Sequence, residues 1–401
     1  MPLGFRAAAM AAGIKPSGKP DLGLLATTLG PASVGAVFTA NTLAAAPIRL
    51  SRAHLAASGG RAIAILATSG CANAATGPDG ERDQAELAAI LAEALGVDPA
   101  LSLALSTGMI GTRLPVTALR SSIPDVAAAL ATTDRALQDL ADQICTTDSR
   151  SKAASVRLDL GTGMPITVSG IAKGVGMIHP RMATMLALVL TDAKVEPAVL
   201  QAMLDGAVGR TWNQLSVDGD TSTNDTVFLL ASGAAGGDQI EAGSATATRL
   251  AEGIEAVARS LARQQAADGE GATALITCQV SGGRDDQASR AIARSVVGSS
   301  LVKAAVHGRD PNWGRVAAAI GNARVGDEPV ATDEATIAIA IGGVPVFQGS
   351  PRPFDRAAVA ALMSAKEVVI RVDLGQGSGV GEAFGCDLSP EYVIENSAYS
   401  S

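Results

Sequence analysis

Apolar positions along this chain fall into short runs that switch between a period near two and a period near 3.6. Val34–Thr39 and Ala62–Ala67 are almost wholly apolar and predict buried strands. Asp83–Leu95 has apolar residues at helical spacing and stops at Gly96, where glycine suits the left-handed turn that ends a helix. Leu101–Leu105 predicts a short strand leading into Ser106-Thr107-Gly108, and Asp125–Ile144 a helix broken near Thr132-Thr133. Ser155–Leu160 and Pro165–Ser169 form a strand pair through Gly161-Thr162-Gly163. Then come a strand at Met185–Leu190, a helix at Glu196–Val208 and a strand at Thr226–Ala231. Ala245–Ala267 is the longest predicted helix, ended by Asp268-Gly269-Glu270-Gly271. Ala274–Val280 predicts a strand and Gln287–Val306 a helix in two pieces. Thr336–Phe347 alternates like a hairpin about Gly342-Gly343, and Val368–Val372 is the last predicted strand. Strands and helices mix without a regular βαβ repeat, which favours a layered α/β sandwich over a doubly wound sheet. A boundary near Ala274 divides the chain into residues 1–273, a catalytic sandwich, and 274–401, a smaller α/β domain.

Composition narrows the function classes. The 401 residues are 47% hydrophobic but only 2% aromatic, so the core is built from small aliphatic side chains in close approach. The formal charge of -8 is spread along the chain. No basic patch with interleaved aromatics is present, which argues against nucleic acid as a partner. No apolar run reaches the roughly 18 residues of a membrane helix. Met1-Pro2-Leu3-Gly4-Phe5-Arg6 lacks the charged start and apolar core of a signal peptide, so a cytoplasmic protein is expected. Cys71, Cys145, Cys278 and Cys386 lack metal-type spacing and read as reduced thiols. His54, His179 and His307 are scattered, and His307 reads as a structural hydrogen-bonding residue. The acidic stretch Val217–Asp225 lacks the closing glutamate of a calcium loop. No metal and no cofactor are expected. Gly375-Gln376-Gly377-Ser378-Gly379-Val380-Gly381 does not fit the dinucleotide fingerprint and reads as a hairpin loop.

The chemistry concentrates in Lys173-Gly174-Val175-Gly176-Met177-Ile178-His179-Pro180-Arg181-Met182-Ala183-Thr184-Met185-Leu186. A glycine-rich turn runs into Ala183-Thr184, and an apolar strand follows at once. A cut between Ala183 and Thr184 would give Thr184 a free α-amine beside its hydroxyl. That amine, with a pKa of about 8, can take the hydroxyl proton near neutral pH, so nucleophile and base share one residue. Taken alone, a threonine at a strand start and a Gly-x-Gly turn are commonplace. Thr107-Gly108 could present a hydroxyl and an N–H to an oxyanion, or be a plain turn. Lys173 is a solvated lysine or a cation for a substrate carboxylate. Glu270 is a loop carboxylate or a receiver for a substrate ammonium group.

The Lys173–Asp192 block resembles the processing site of the ornithine acetyltransferase (glutamate N-acetyltransferase) family, self-cleaving enzymes of arginine biosynthesis. Gly4-Phe5-Arg6-Ala7-Ala8, Ala11-Ala12-Gly13-Ile14-Lys15, Asn73-Ala74-Ala75-Thr76-Gly77, Val217–Asp225, His307–Arg315 and Gly385-Cys386-Asp387-Leu388 extend the resemblance over essentially the whole chain. It implies an N-terminal-nucleophile-type α/β sandwich in which Thr184 is the nucleophile and Thr107 and Gly108 form the oxyanion hole. It further implies that Thr147, Lys173, Thr184, Glu270, Asn396 and Ser401 bind substrate, with the C-terminal tail returning to the site. Cleavage would yield an α chain, 1–183, and a β chain, 184–401, paired and dimerised as α2β2. The implied reaction moves acetyl from N2-acetylornithine to glutamate by a ping-pong route. A bifunctional enzyme that also uses acetyl-CoA, an amidase or aminopeptidase, and a binding protein with a degenerate site are the rivals. Some positions depart from the family's usual wording. Cys71 replaces an asparagine, and His179 and Arg181 replace small and amide residues. Ser151 replaces a proline, and serines stand in Tyr399-Ser400-Ser401 where threonines are usual.

Overall fold

The computed structural model describes residues 1–161, 164–179 and 185–398. Ala183, Thr184 and Ser401, three of the predicted site residues, lie outside the described residues. Two sheets stack at the centre. One has four strands, in the order Phe5–Met10, Leu22–Thr27, Ala64–Cys71 and Ser102–Met109. The other has six, in the order Arg61–Ala62, Ala32–Phe38, Thr226–Ala231, Leu186–Thr191, Ile166–Lys173 and Lys152–Leu158. Neighbours are antiparallel except for two parallel pairs, Ala64–Cys71 with Ser102–Met109 and Leu186–Thr191 with Thr226–Ala231.

Strand parity sets the layers, because successive side chains point to opposite faces. Leu186, Leu188 and Leu190 join Phe5, Leu25, Ile65 and Leu103 in a core between the two sheets. Ala187 and Val189 face the other way, onto Leu200 and Leu204 of the helix Pro197–Arg210 and Ile254 and Leu261 of the helix Ala245–Ala267. On the outer face of the four-stranded sheet, Leu22, Leu24 and Leu66 meet Leu87 and Leu91 of Gly77–Leu95 and Leu119 and Ile123 of Val116–Ala128. The result is helix, sheet, sheet, helix: the layered α/β sandwich expected from the pattern. Strands buried on both faces read as unbroken apolar runs, which is why Thr226–Ala231 was legible to the residue.

A third sheet has its own apolar core, with Ile276, Cys278 and Val280 packed against Ile292 and Val296 of the helix Asp286–Gly298. Its strand order is Leu215–Ser216, Gly379–Cys386, Leu275–Gly283, Glu367–Asp373, Ala338–Ile341 and Val344–Gln348. Asp387 closes its junction with the sandwich by accepting from the Thr273 and Ala274 amides at 2.7 and 2.9 Å and from His307 Nδ1 at 2.9 Å. His307 therefore has the structural role expected of it. Among the described residues no helix is long and apolar enough to cross a membrane.

Two expectations are corrected, and the bounds of a third are adjusted. Val368–Val372 lies in a strand, Glu367–Asp373, but not the last one, because Gly379–Cys386 follows. These two strands flank Leu275–Gly283, one parallel and one antiparallel to it, so the glycine-rich loop is a crossover and not a hairpin. The strand was hidden by its glycines, which close packing demands. A Cβ at Gly379 or Gly381 would approach the backbone of Asp285 to 2.3 Å or of Arg290 and Ser289 to 2.4 Å. The helix expected at Asp125–Ile144 is two, Val116–Ala128 and Asp134–Ile144, and the break is where the threonines placed it. Thr133 caps the second by accepting from the Ala136 N–H at 3.1 Å.

Candidate functional site

Thr107 and Gly108 lie near the end of Ser102–Met109, beside a bulge at Gly70 and Cys71 of the neighbouring strand. Bulges re-aim backbone groups and recur next to active sites. Gly108 has φ +128°, and a Cβ there would lie 2.3 Å from the Gly70 carbonyl carbon and 2.5 Å from the Cys71 nitrogen. Only glycine allows this approach. The preceding carbonyl, of Ser106, accepts from Asn224 Nδ2 at 2.9 Å, and the same amide reaches the Ala72 carbonyl at 2.7 Å. Asn224 is itself oriented by Thr223 Oγ1, which donates to its Oδ1 at 2.6 Å. One buried amide thus holds the ends of two strands in register at the Thr107-Gly108 turn.

Lys173 is the last residue of Ile166–Lys173, not part of the glycine-rich turn, and it is not solvated: it is 3% exposed. Its Nζ donates to Thr146 Oγ1 at 2.9 Å and Thr107 Oγ1 at 3.3 Å, and stands 3.8 Å from Asp148 Oδ2. Asp148 is a buried anion with several partners. It accepts from Gly174 N at 2.8 Å and Lys152 Nζ at 2.6 Å, and Lys152 also pairs with Asp268. Burial alone would raise the Asp148 carboxyl, but the ammonium groups of Lys173 and Lys152 and the Gly174 N–H outweigh it and hold the group below the usual range. A buried charge of this kind is tolerated only when paired and hydrogen-bonded.

Glu270 closes the opposite wall. Its backbone N–H donates to the Val175 carbonyl at 2.9 Å, tying the loop after Ala245–Ala267 to the loop after Lys173. Its carboxylate accepts from Thr147 Oγ1 and from Asn396 Nδ2, each at 2.9 Å. Asn396 arrives on Pro390–Ala398, a helix the sequence pattern did not reveal. These side chains line one small cavity of about 80 Å³, in which Thr107, Gly108, Thr147, Lys173, Glu270 and Asn396 come together. A cation on one wall and a carboxylate on the other complement a ligand that carries both charges, such as an amino acid.

The segment entering the predicted cut is held from outside the cavity. Asp218 accepts from the Met177 and Ile178 amides, the latter at 2.8 Å, and from Asp220 N at 3.2 Å. Its carboxylate orders the loop that leads toward the predicted cut. Met185, the residue after Thr184, is buried and donates its N–H to Asp225 Oδ1 at 2.9 Å. Burial drives the Asp225 carboxyl well above its ordinary range, against the pull of that amide. Asn224, Asp148, Asp218 and Asp225 were not predicted as site residues. Their signal was a polar block, Val217–Asp225, between two strands buried on both faces, and an aspartate beside the predicted Thr147.

The ArgJ family model matches residues 6–401. The arginine biosynthesis bifunctional protein ArgJ of Thermosynechococcus vestitus is 45% identical, over 99% of this chain and 96% of its own. That of Deinococcus radiodurans is 46% identical, over 100% and 97%. The crystal structure of the Bacillus halodurans protein of the same name has a TM-score of 0.50 and 39% identity, covering 53% of this chain and 98% of that one.

Proposed function

The chain belongs to the ArgJ family, and on that premise we propose that it is a self-processing acetyltransferase of arginine biosynthesis, moving acetyl from N2-acetylornithine to glutamate. The observation that carries the reading is the convergence of Thr107, Gly108, Thr147, Lys173, Glu270 and Asn396 on one cavity from segments far apart in sequence. Its wall includes Asn224, and Asp225 next to it holds Met185, the residue joined to Thr184.

Thr184 acts first on its own chain. Its hydroxyl attacks the Ala183 carbonyl, the acyl group shifts from nitrogen to oxygen, and water cleaves the ester. The products are residues 1–183 and 184–401. That a solved relative corresponds to 53% of this chain over nearly its whole length supports a cut near the middle. In turnover, the Thr184 α-amine takes the hydroxyl proton as the oxygen attacks the acetamide carbon. Thr107 and Gly108 stabilise the oxyanion. The C–N bond breaks, the proton passes to the departing amine, and ornithine leaves an acetyl ester on Thr184. The glutamate α-amine then attacks this ester, giving N-acetylglutamate and restoring the hydroxyl. Lys173 faces the substrate carboxylate and Glu270 an ammonium group, with Thr147, Asn396 and Ser401 completing the contacts. The protein works in the cytoplasm as α2β2, with its catalytic sandwich in residues 1–273 and a smaller domain in 274–401. The word bifunctional in the relatives' names favours a second donor, acetyl-CoA, for the same ester.

Intact-mass analysis before and after brief exposure to N2-acetylornithine tests this. The expected result is two chains dividing at Ala183/Thr184, with an acetyl increment on the second alone. Thr184→Ala should leave one uncut chain and no transfer. Normal cleavage or residual transfer in that variant rejects Thr184 as the nucleophile.

A further inference from the structure

A second cavity, of about 930 Å³, opens on the other side of the segment that walls the first: Thr221 lines one, and Ser222, Thr223 and Asn224 line the other. Its volume is within the range of small-molecule and cofactor sites. The helix Asp286–Gly298 presents Arg290 and Arg294, one turn apart, and the short strand Arg324–Val325 adds Arg324. Among the described residues that line it there is no carboxylate, in a chain whose formal charge is -8. Arg290 stands 3.8 Å from Asp286, itself 56% exposed, and Arg324 Nη1 donates to the Asp327 carbonyl at 2.7 Å. Surface contacts of this kind hold a side chain only weakly.

The lining thus gathers forked cations, which match phosphate geometry, among polar side chains such as Asn41, Asn213 and Asn322.

We propose that this cavity binds a phosphate-bearing ligand of nucleotide size. Binding there requires neither the cut nor Thr184. Calorimetric titration of the full-length protein with ADP, with adenosine and inorganic phosphate as controls, tests it. ADP is expected to bind in the millimolar range or tighter, adenosine far more weakly, and affinity is expected to fall as salt rises. Arg290→Gln with Arg294→Gln should weaken ADP by about tenfold or more, and Arg324→Gln should do so separately. If the double variant fails to melt cooperatively, Arg324→Gln alone decides. No ADP binding at millimolar concentration, or affinity unchanged in the variants, overturns the proposal. The source of the phosphate is read in a second arm. ADP that competes with acetyl-CoA but not with N2-acetylornithine marks the site as that of a nucleotide-bearing donor. Equal inhibition of both marks an effector. Absence of transfer from either donor would reject the acetyltransferase reading and leave the binding result standing.

Discussion

Two glycines beside the cavity differ in what a methyl group would strike, and that difference separates folding from binding. At Gly108 an added Cβ meets backbone, and φ is already in the range that L residues avoid. Gly108→Ala should therefore lower stability by about 2–4 kcal/mol and abolish transfer together. At Gly176 the added Cβ meets only the tip of Glu270, at 2.3 Å from Oε2. That tip can swing aside, so Gly176→Ala should change stability by less than about 0.5 kcal/mol while raising KM for N2-acetylornithine several-fold. Denaturant melts and initial rates on the same preparations check both; an unchanged KM in Gly176→Ala would remove Glu270 from the binding site. Asp225 offers a third residue-level test. Its folded carboxyl is raised by burial, so the stability it allows is complete below the unfolded value of about 3.9 and declines as pH rises above it. Asp225→Asn has no such titration. Its stability relative to the parent should improve as pH rises above about 4, and a pH-independent difference would show that the carboxyl ionises freely in the fold.

At the scale of elements, the tail helix Pro390–Ala398 packs closely against Gly271. Gly271 has φ +65°, and a Cβ there would lie 2.4 Å from the Tyr392 nitrogen. Ser389 Oγ also donates to the Gly271 carbonyl at 2.6 Å. Gly271→Ala should cost about 1–3 kcal/mol locally, lift the helix that carries Asn396 and raise KM, while amides of the central strands keep their protection from hydrogen exchange. Loss of protection throughout would instead make the tail part of the cooperative core. The same helix shows why some elements were legible and others not. Ala245–Ala267 carries Leu250, Ile254, Val257 and Leu261 on one buried stripe, and its bounds follow from the pattern. The tail has Val393 and Ile394 exposed, so no stripe exists to be read. Half of Phe5–Met10 is alanine, which by itself favours helix, and the segment becomes a strand by pairing with Leu22–Thr27. The site divides likewise. Lys173 and Glu270 were chosen through their place in a motif, because their local chemistry fits a surface loop equally well. What makes them a site is a cavity closed by residues more than a hundred positions apart, which no local period encodes.

The molecule as a whole hangs together through buried charge as well as apolar layers. Lys152, at the start of an edge strand, pairs with Asp148 and with Asp268 at the end of the long helix, while Lys173 adds a second ammonium from the neighbouring strand. The network thus clamps the six-stranded sheet, its outer helix and the cavity wall at one point. Both Lys152 and Asp148 side chains are 0% exposed, so removing one charge strands the others in a medium that solvates them poorly. Asp148 titrates below the usual carboxylate range. Its stabilisation is therefore full above the unfolded value of about 3.9 and is lost as pH falls through the lower folded value. Asp148→Asn should be less stable than the parent by about 3 kcal/mol at neutral pH, and the gap should close as pH drops below about 4, where the parent also loses its charge. Transfer activity should fall with the same variant at neutral pH, because Lys173 loses the anion that holds it beside Thr107. Denaturant midpoints for both proteins between about pH 7 and pH 2 measure the gap directly. A gap that stays constant over that range would mean that Asp148 acts through hydrogen bonds alone, with the clamp owing nothing to its charge.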